Sequence, residues 1–253
     1  MGQKALKKCL SVQNKYFKSV KLKPLIFSVF YSILLSILGS KMKTTLVLIR
    51  HGETETNKEN ILCGHTDVGL SERGFRQAQL GAEYLNRFKF DKIYSSDLKR
   101  AVCTAEPIAK KQNLPIIKQK NLREIFCGDW ECLTPERLRS EYGKDFSVYM
   151  NDFVNCQCTN GESGKDFIKR GINAVTEIAK ENAGKTVLVA THGGVLRALD
   201  GFLFTDKGWQ AFAWYSNVGV SVAEYEDGKW TLLQRNYADY LGDLRTELDA
   251  SKV

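Results

Sequence analysis

The stretch that most constrains this chain is Leu46-Val47-Leu48-Ile49, an unbroken apolar run that passes straight into Arg50-His51-Gly52. An apolar run with no polar alternation predicts a strand covered on both faces, as in a parallel sheet. Sheets of that kind hold their ligands just beyond the carboxyl ends of the strands. Arg50 and His51 therefore stand where chemistry is done, and Gly52 lets the backbone turn and come close to a bound group. The chain has only three histidines, His51, His65 and His192, and the last repeats the setting of the first. Thr186-Val187-Leu188-Val189-Ala190 is a second buried strand, with Thr191-His192-Gly193-Gly194 at its end. Packing alone gives no reason for two strand-end histidines each followed by glycine.

Composition excludes one function class. The net charge of +8 invites a nucleic-acid partner, but residues 1–41 contain eight lysines and no acidic residue. The remainder is neutral overall and has no net field to draw in a polyanion. Seven cysteines fall at positions 9, 63, 103, 127, 132, 156 and 158. Cys156-Gln157-Cys158 is one residue tighter than the usual metal-binding arm, which leaves metal there as the lesser alternative to reduced thiols. An odd count in a chain able to bury its own core fits the reduced thiols of a cytoplasmic enzyme.

The first 41 residues form a basic and apolar extension. Pro24 to Ser40 is uncharged and mostly apolar, preceded by seven lysines and followed by Lys41. As a helix it would reach about 25 Å, short of a hydrocarbon core of ~30 Å. Leu38-Gly39-Ser40 makes a poor cleavage site for a signal peptide. The expectation is a cytoplasmic product starting at Met42, whose next residues lead directly into the first strand. The alternatives are an anchor through residues 24–40, the one route to a membrane, and a signal peptide.

From Met42 onward, strand and helix signals alternate. Glu53 to Val68 reads as a loop, and Ser71 caps a helix running to about Phe88. Lys92 to Ser96 is a strand, Asp97 caps a helix to about Gln112 despite Pro107, and Pro115 to Lys118 is a strand. Residues 121–165 lack a clean period apart from a helix over Pro135 to Tyr142, as expected of a cap inserted over a site. Helices are predicted over Lys165 to Asn182 and Gly194 to Phe204, on either side of the second histidine strand. Val218 to Tyr225 and Lys229 to Gln234 flank Glu226-Asp227-Gly228, a hairpin signal. The predicted architecture is a three-layer α/β/α domain over residues 42–253, mostly parallel with an antiparallel edge.

Arg50-His51-Gly52-Glu53-Thr54 with Asn57 resembles the signature of the histidine phosphatase superfamily, the phosphoglycerate mutase-like fold. Gly64 with Leu70-Ser71-Glu72-Arg73-Gly74, and Ser95-Ser96-Asp97-Leu98-Lys99-Arg100-Ala101 with Thr104-Ala105, match its following blocks. Leu122-Arg123-Glu124 looks like the segment carrying its acid, and Thr191-His192-Gly193-Gly194 like its second histidine. These blocks keep their order from Lys43 to Glu224. The segment Phe126-Cys127-Gly128-Asp129-Trp130-Glu131, with Gly64-His65, Asn151-Asp152-Phe153 and Thr159-Asn160-Gly161-Glu162, most resembles the alpha-ribazole phosphatase branch, which serves cobalamin nucleotide-loop assembly. Cys127 and Gly69 depart from that branch's pattern, outside the reacting groups.

The residue types suit the chemistry that the resemblance implies. Breaking a phosphomonoester needs a nucleophile, a clamp for phosphoryl oxygens and an acid for the leaving alkoxide. His51, as a neutral imidazole, can attack phosphorus and carry the phosphoryl group covalently. Arg50 and Arg100 offer bidentate donors, and His192 is expected protonated, as a further positive group. Glu124 is expected to protonate the leaving oxygen and then activate water, ahead of Asp129 and Glu131. Asn57, Cys63, Gly64 and Gly193 are the expected substrate contacts, His65 a residue of the loop or substrate rim, and Trp130 packing. The expected partner is a small phosphomonoester, with no cofactor and no metal. Within the fold the alternatives are a broad-specificity phosphatase and a phosphoglycerate mutase-like enzyme. A phosphate-binding scaffold without catalysis would be expected to lack one of the groups above, and all are present. With arginine and histidine forming the clamp, chelators should leave activity unchanged; inactivation by EDTA with recovery on adding a divalent ion would contradict this assignment.

Overall fold

The computed structural model describes residues 42–210 and 214–246; the expected extension 1–41 lies outside them. Among the described residues no helix is long and apolar enough to cross a membrane. Six strands form one sheet: β1 (Thr44–Arg50), β2 (Lys92–Ser95), β3 (Ile116–Lys118), β4 (Thr186–Thr191), β5 (Val220–Glu226) and β6 (Lys229–Tyr237). Their order is β3-β2-β4-β1-β5-β6. β1, β2, β3 and β4 are parallel, and β5 and β6 add an antiparallel edge beside β1.

The apolar run of β1 is explained by the layers on either side. Val47 and Ile49 join a cluster with Ala82, Leu85, Ala105 and Ile108, from helices α2 (Glu72–Leu85) and α3 (Lys99–Gln112). Leu46 and Leu48 join the opposite cluster with Phe167, Val175 and Ile178 of α5 (Gly164–Glu181) and Val195 and Leu199 of α6 (Gly193–Leu199). Successive side chains of a strand point to opposite faces. A strand covered on both sides therefore has no place for a polar residue until its end.

Several local expectations shift. The loop after β1 contains one short helix, α1 (Glu55–Lys58), closed by a reciprocal capping box between Thr54 and Asn57. Asp97 does not cap α3; Leu98 holds that position, and the Asp97 carboxylate instead takes both arms of Arg123, at 2.6 and 2.7 Å. Helix α4 (Pro135–Asn151) continues past Tyr142, where the backbone breaks helical geometry (φ −130°, ψ 27°). Beyond the break Phe146 is buried edge-on against Trp130, so tertiary packing prolongs a helix that the local pattern ends. After α6 the chain widens into a π turn over Asp200–Phe204.

Two glycines set how closely α2 approaches the end of β1. A Cβ on Gly52 would lie 2.8 Å from the Gly74 carbonyl oxygen, and one on Gly74 would lie 2.1 Å from that of Glu53. Gly74→Ala should therefore destabilise the fold by about 1–3 kcal/mol through overpacking against backbone, outweighing the gain in helix propensity. Gly143→Ala, in α4 with open space around it, should instead stabilise by roughly 0.5–1 kcal/mol. Denaturant midpoints of both variants check the opposite signs.

Candidate active site

The two histidines meet because β1 and β4 are adjacent and in register. Arg50 lies opposite Thr191, and the His51 N–H donates to the Thr191 carbonyl at 2.9 Å. The imidazoles of His51 and His192 are 5.1 Å apart between centroids, tilted by 58°. Nδ1 of His51 is 2.8 Å from the Gly52 carbonyl oxygen. A carbonyl only accepts, so Nδ1 carries the proton and Nε2 keeps the lone pair that a nucleophile needs. Nε2 of His192 pairs with the Ser96 hydroxyl at 2.8 Å, while its Nδ1 is buried without a hydrogen-bond partner.

Positive charge surrounds this pair. Arg50 donates a terminal N–H to the Tyr215 carbonyl, lies over the Trp214 ring with its carbon 4.7 Å from the centroid, and has a buried Nε without a partner. Arg100 donates to the carbonyls of Gly64 (2.6 Å) and Thr66 (3.0 Å). Burial lowers the Arg50 pKa to about 10, with Arg100 adding to the fall and Glu124 opposing it. Burial first, then Arg100 and Arg50, hold His51 well below the ordinary histidine value. His192 is held down in the same way by burial, Arg100, His51 and Arg50. Burial first, and then the two guanidinium groups, thus oppose the positive charge expected of His192.

Glu124 differs from its rivals by what holds it. Its carboxylate accepts from the backbone N–H groups of Ile125 (3.0 Å) and Gly194 (2.9 Å). A Cβ on Gly194 would lie 2.3 Å from Glu124 Oε1, so the glycine is what lets the carboxylate approach. Glu131 is engaged elsewhere, accepting from the N–H groups of Gly64, His65, Thr66 and Cys127 and from the Thr66 hydroxyl. Burial opposes its ionisation, but these hydrogen bonds prevail and lower its pKa. Asp129 accepts from Asn160 at 2.8 Å.

A cavity of about 270 Å³ opens over these groups. Arg50, His51, Asn57, Cys63, Glu124 and Gly193 line it, with Tyr149, Phe153, Arg197, Trp209 and Trp214 along the remaining wall. Gly64, Arg100 and His192 are not among its lining residues; Gly64 serves as an acceptor for Arg100. Burial raises the Cys63 thiol to about 11. His65 sits beside Phe126 and bonds through Nε2 to the Glu124 carbonyl at 3.0 Å. Among the described residues no group of three or more metal-ligating side chains assembles, Cys156 and Cys158 included.

The profile described as Histidine phosphatase superfamily (branch 1) matches residues 46–238. The chain belongs to that superfamily. Phosphoserine phosphatase 1 of Hydrogenobacter thermophilus is 33% identical, over 80% of this chain and 96% of its own. The adenosylcobalamin/alpha-ribazole phosphatase of Escherichia coli K12 is 34% identical over 61% and 76%. The crystal structure of the alpha-ribazole phosphatase from Shigella flexneri superposes with a TM-score of 0.70 at 30% identity, covering 76% of this chain and 96% of that one.

The fold also brings to the site residues to which the sequence analysis assigned no role. Ser96 holds His192, and Asn217 bonds both the His51 carbonyl (3.0 Å) and the Asn57 side chain (3.2 Å). Trp214 lies under Arg50. Ser96 lies inside a motif block, but Asn217 and Trp214 follow the last motif and reach the site only through the fold. Because both imidazoles bind protons less readily folded than unfolded, the unfolded chain holds more protons below the ordinary value of 6.5. Stability should therefore be full above that value and fall as pH drops through it. The melting temperature measured from pH 8 to pH 5 should decline, and His192→Gln should decline less steeply.

Proposed function

We propose that the chain hydrolyses small phosphomonoesters through a phosphohistidine at His51. The observation that carries this is a lone-pair nitrogen, His51 Nε2, beside a buried donor that lacks an acceptor, Arg50 Nε, and the buried, unpartnered Nδ1 of His192, a donor in its Nδ1-protonated tautomer. Unsatisfied buried donors are costly, and a phosphoryl oxygen is the acceptor that they and the surrounding cations suit. In the first step His51 Nε2 forms a bond to phosphorus while the ester P–O bond breaks, and Glu124 gives its proton to the leaving oxygen. In the second, Glu124 takes a proton from water as that water attacks phosphorus. Inorganic phosphate leaves and His51 is regenerated. The dianion offsets the arginines and lets His192 take up a proton, as the charge of a bound phosphoryl group demands.

Within this class, alpha-ribazole 5′-phosphate is the proposed substrate, as an ester of cobalamin nucleotide-loop assembly. Support comes from the aromatic wall of Tyr149, Phe153, Trp209 and Trp214, which suits an aromatic base, and from relatives that carry that name. A second leaving group is favoured by Arg197. Its Nε is held by the Trp209 carbonyl at 2.8 Å, and no carboxylate pairs with it among the described residues. A substrate carboxylate, as in phosphoserine, would complement that charge.

Purified protein should yield an acid-labile, base-stable phosphoenzyme on rapid quench with labelled substrate. His51→Ala should abolish it, and Glu124→Gln should slow turnover by about 10²–10⁴-fold while leaving phosphoenzyme formation from esters with good leaving groups. Phosphoenzyme persisting in His51→Ala would refute the mechanism. Comparing kcat/KM for alpha-ribazole 5′-phosphate and phosphoserine, with Arg197→Met losing only the second, decides the leaving group.

A further inference from the structure

We infer that Arg170 and Glu162 form a positioning pair for the acid Glu124, resting on the phosphatase mechanism above. Neither residue lines the cavity. Arg170 lies on α5, with its guanidinium carbon 5.3 Å from the centroid of the Phe167 ring below it. It spends all five N–H donors of its guanidinium. Nε and one Nη2 proton go to the two Glu162 oxygens at 2.8 and 2.7 Å. Nη1 donates to the carbonyls of Asn121 (2.9 Å) and Arg123 (3.0 Å), and Nη2 to that of Glu124 (3.1 Å). Glu162 in turn accepts from the Phe126 N–H at 3.2 Å. The pair thus grips the main chain on both sides of the acid.

The grip matters because of how the acid is held. Among the described residues the Glu124 carboxylate accepts hydrogen bonds only from backbone N–H groups, those of Ile125 and Gly194. One of those donors belongs to the gripped segment itself. The position of the carboxylate is therefore set by the path of the main chain, and the path is set by the clamp. An ordinary ion pair joining α5 to the cap would explain the two Glu162 contacts. It gives no reason for three further bonds converging on carbonyls of the segment that carries the acid. Misplacing a reacting group by about 1 Å can cost ~100-fold in rate.

This makes a distinctive prediction, because only a poor leaving group needs the proton. In the full-length protein, Arg170→Met and Glu162→Gln should lower the rapid-quench rate constant for phosphoenzyme formation from an alkyl phosphate by about 10–100-fold. They should leave the same rate constant for p-nitrophenyl phosphate, whose leaving group departs unaided, within about 3-fold, while the later water-activating step slows alike for both esters. Arg170→Lys, which keeps the charge but not the planar fork, should fall between. The double variant should lose no more than the worse single one, as expected of groups acting as a unit. Equal losses on both substrates at an unchanged melting temperature, or no loss on either, would overturn the pair's role while leaving the mechanism intact. If Arg170→Met fails to fold, Glu162→Gln and Arg170→Lys carry the same comparison. Absence of any phosphoenzyme in the wild-type protein would instead remove the mechanism itself, and the pair's role with it.

Discussion

The structure depends on keeping two guanidinium groups buried close together without neutralising them. Arg50 and Arg100 are 7% and 2% exposed, and among the described residues neither has a carboxylate in salt-bridge contact. Burying an unpaired charge is expensive, so the cost must be met by something that does not cancel it. Here main-chain carbonyls do so: Tyr215 for Arg50, Gly64 and Thr66 for Arg100. Carbonyl dipoles stabilise a cation while leaving its net charge available to an incoming anion. Burial first, and then the same two guanidinium groups, hold the pKa of both histidines down.

Carbonyls can hold a guanidinium in one place only if their own loops are fixed, and much of the remaining polar structure does this. Glu131 fastens the 64–66 loop by its N–H groups, so that the carbonyls of Gly64 and Thr66 face Arg100. The same carboxylate takes the Cys127 N–H, tying that loop to the acid segment, and His65 adds a bond to the Glu124 carbonyl. On the far side Asp97 holds the Arg123 side chain. The cation cradle and the acid segment are therefore two ends of one hydrogen-bonded scaffold, in which anionic side chains bind N–H groups and cationic side chains bind carbonyls.

Much of this was legible in the sequence where a residue's role follows from its own strand or motif. Unbroken apolar runs ending in histidine located β1 and β4, and the family's blocks pointed to Arg100 and Glu124. The three-layer fold and its antiparallel edge followed from alternation and one hairpin signal. What escaped depends on contacts distant in sequence. Asn217 bonds His51 across 166 positions, and Arg170 reaches Glu124 across 46. Neither distance leaves a local pattern. Asp97 had the right chemistry for a cap but met a guanidinium instead, and α4 outran its own periodicity because Phe146 had a buried site beyond the break. The burial that opposes charge on His192 was hidden for a related reason: motif position gives no measure of burial.

The strand order has a consequence for how the site comes into being during folding. Strands β1 and β4 are neighbours in the sheet although more than a hundred residues separate them. A nascent chain that has emerged only as far as α5 already carries Arg50, His51, Arg100 and Glu124. It still lacks the strand that bonds the His51 N–H, the histidine facing His51 and the Gly194 N–H that holds the Glu124 carboxylate. Closing so long a loop comes at an entropic cost before its contacts reward it, which makes such pairings late events. The proposed site is thus incomplete until the sheet's central pairing forms, and partly folded chains lack its assembled geometry.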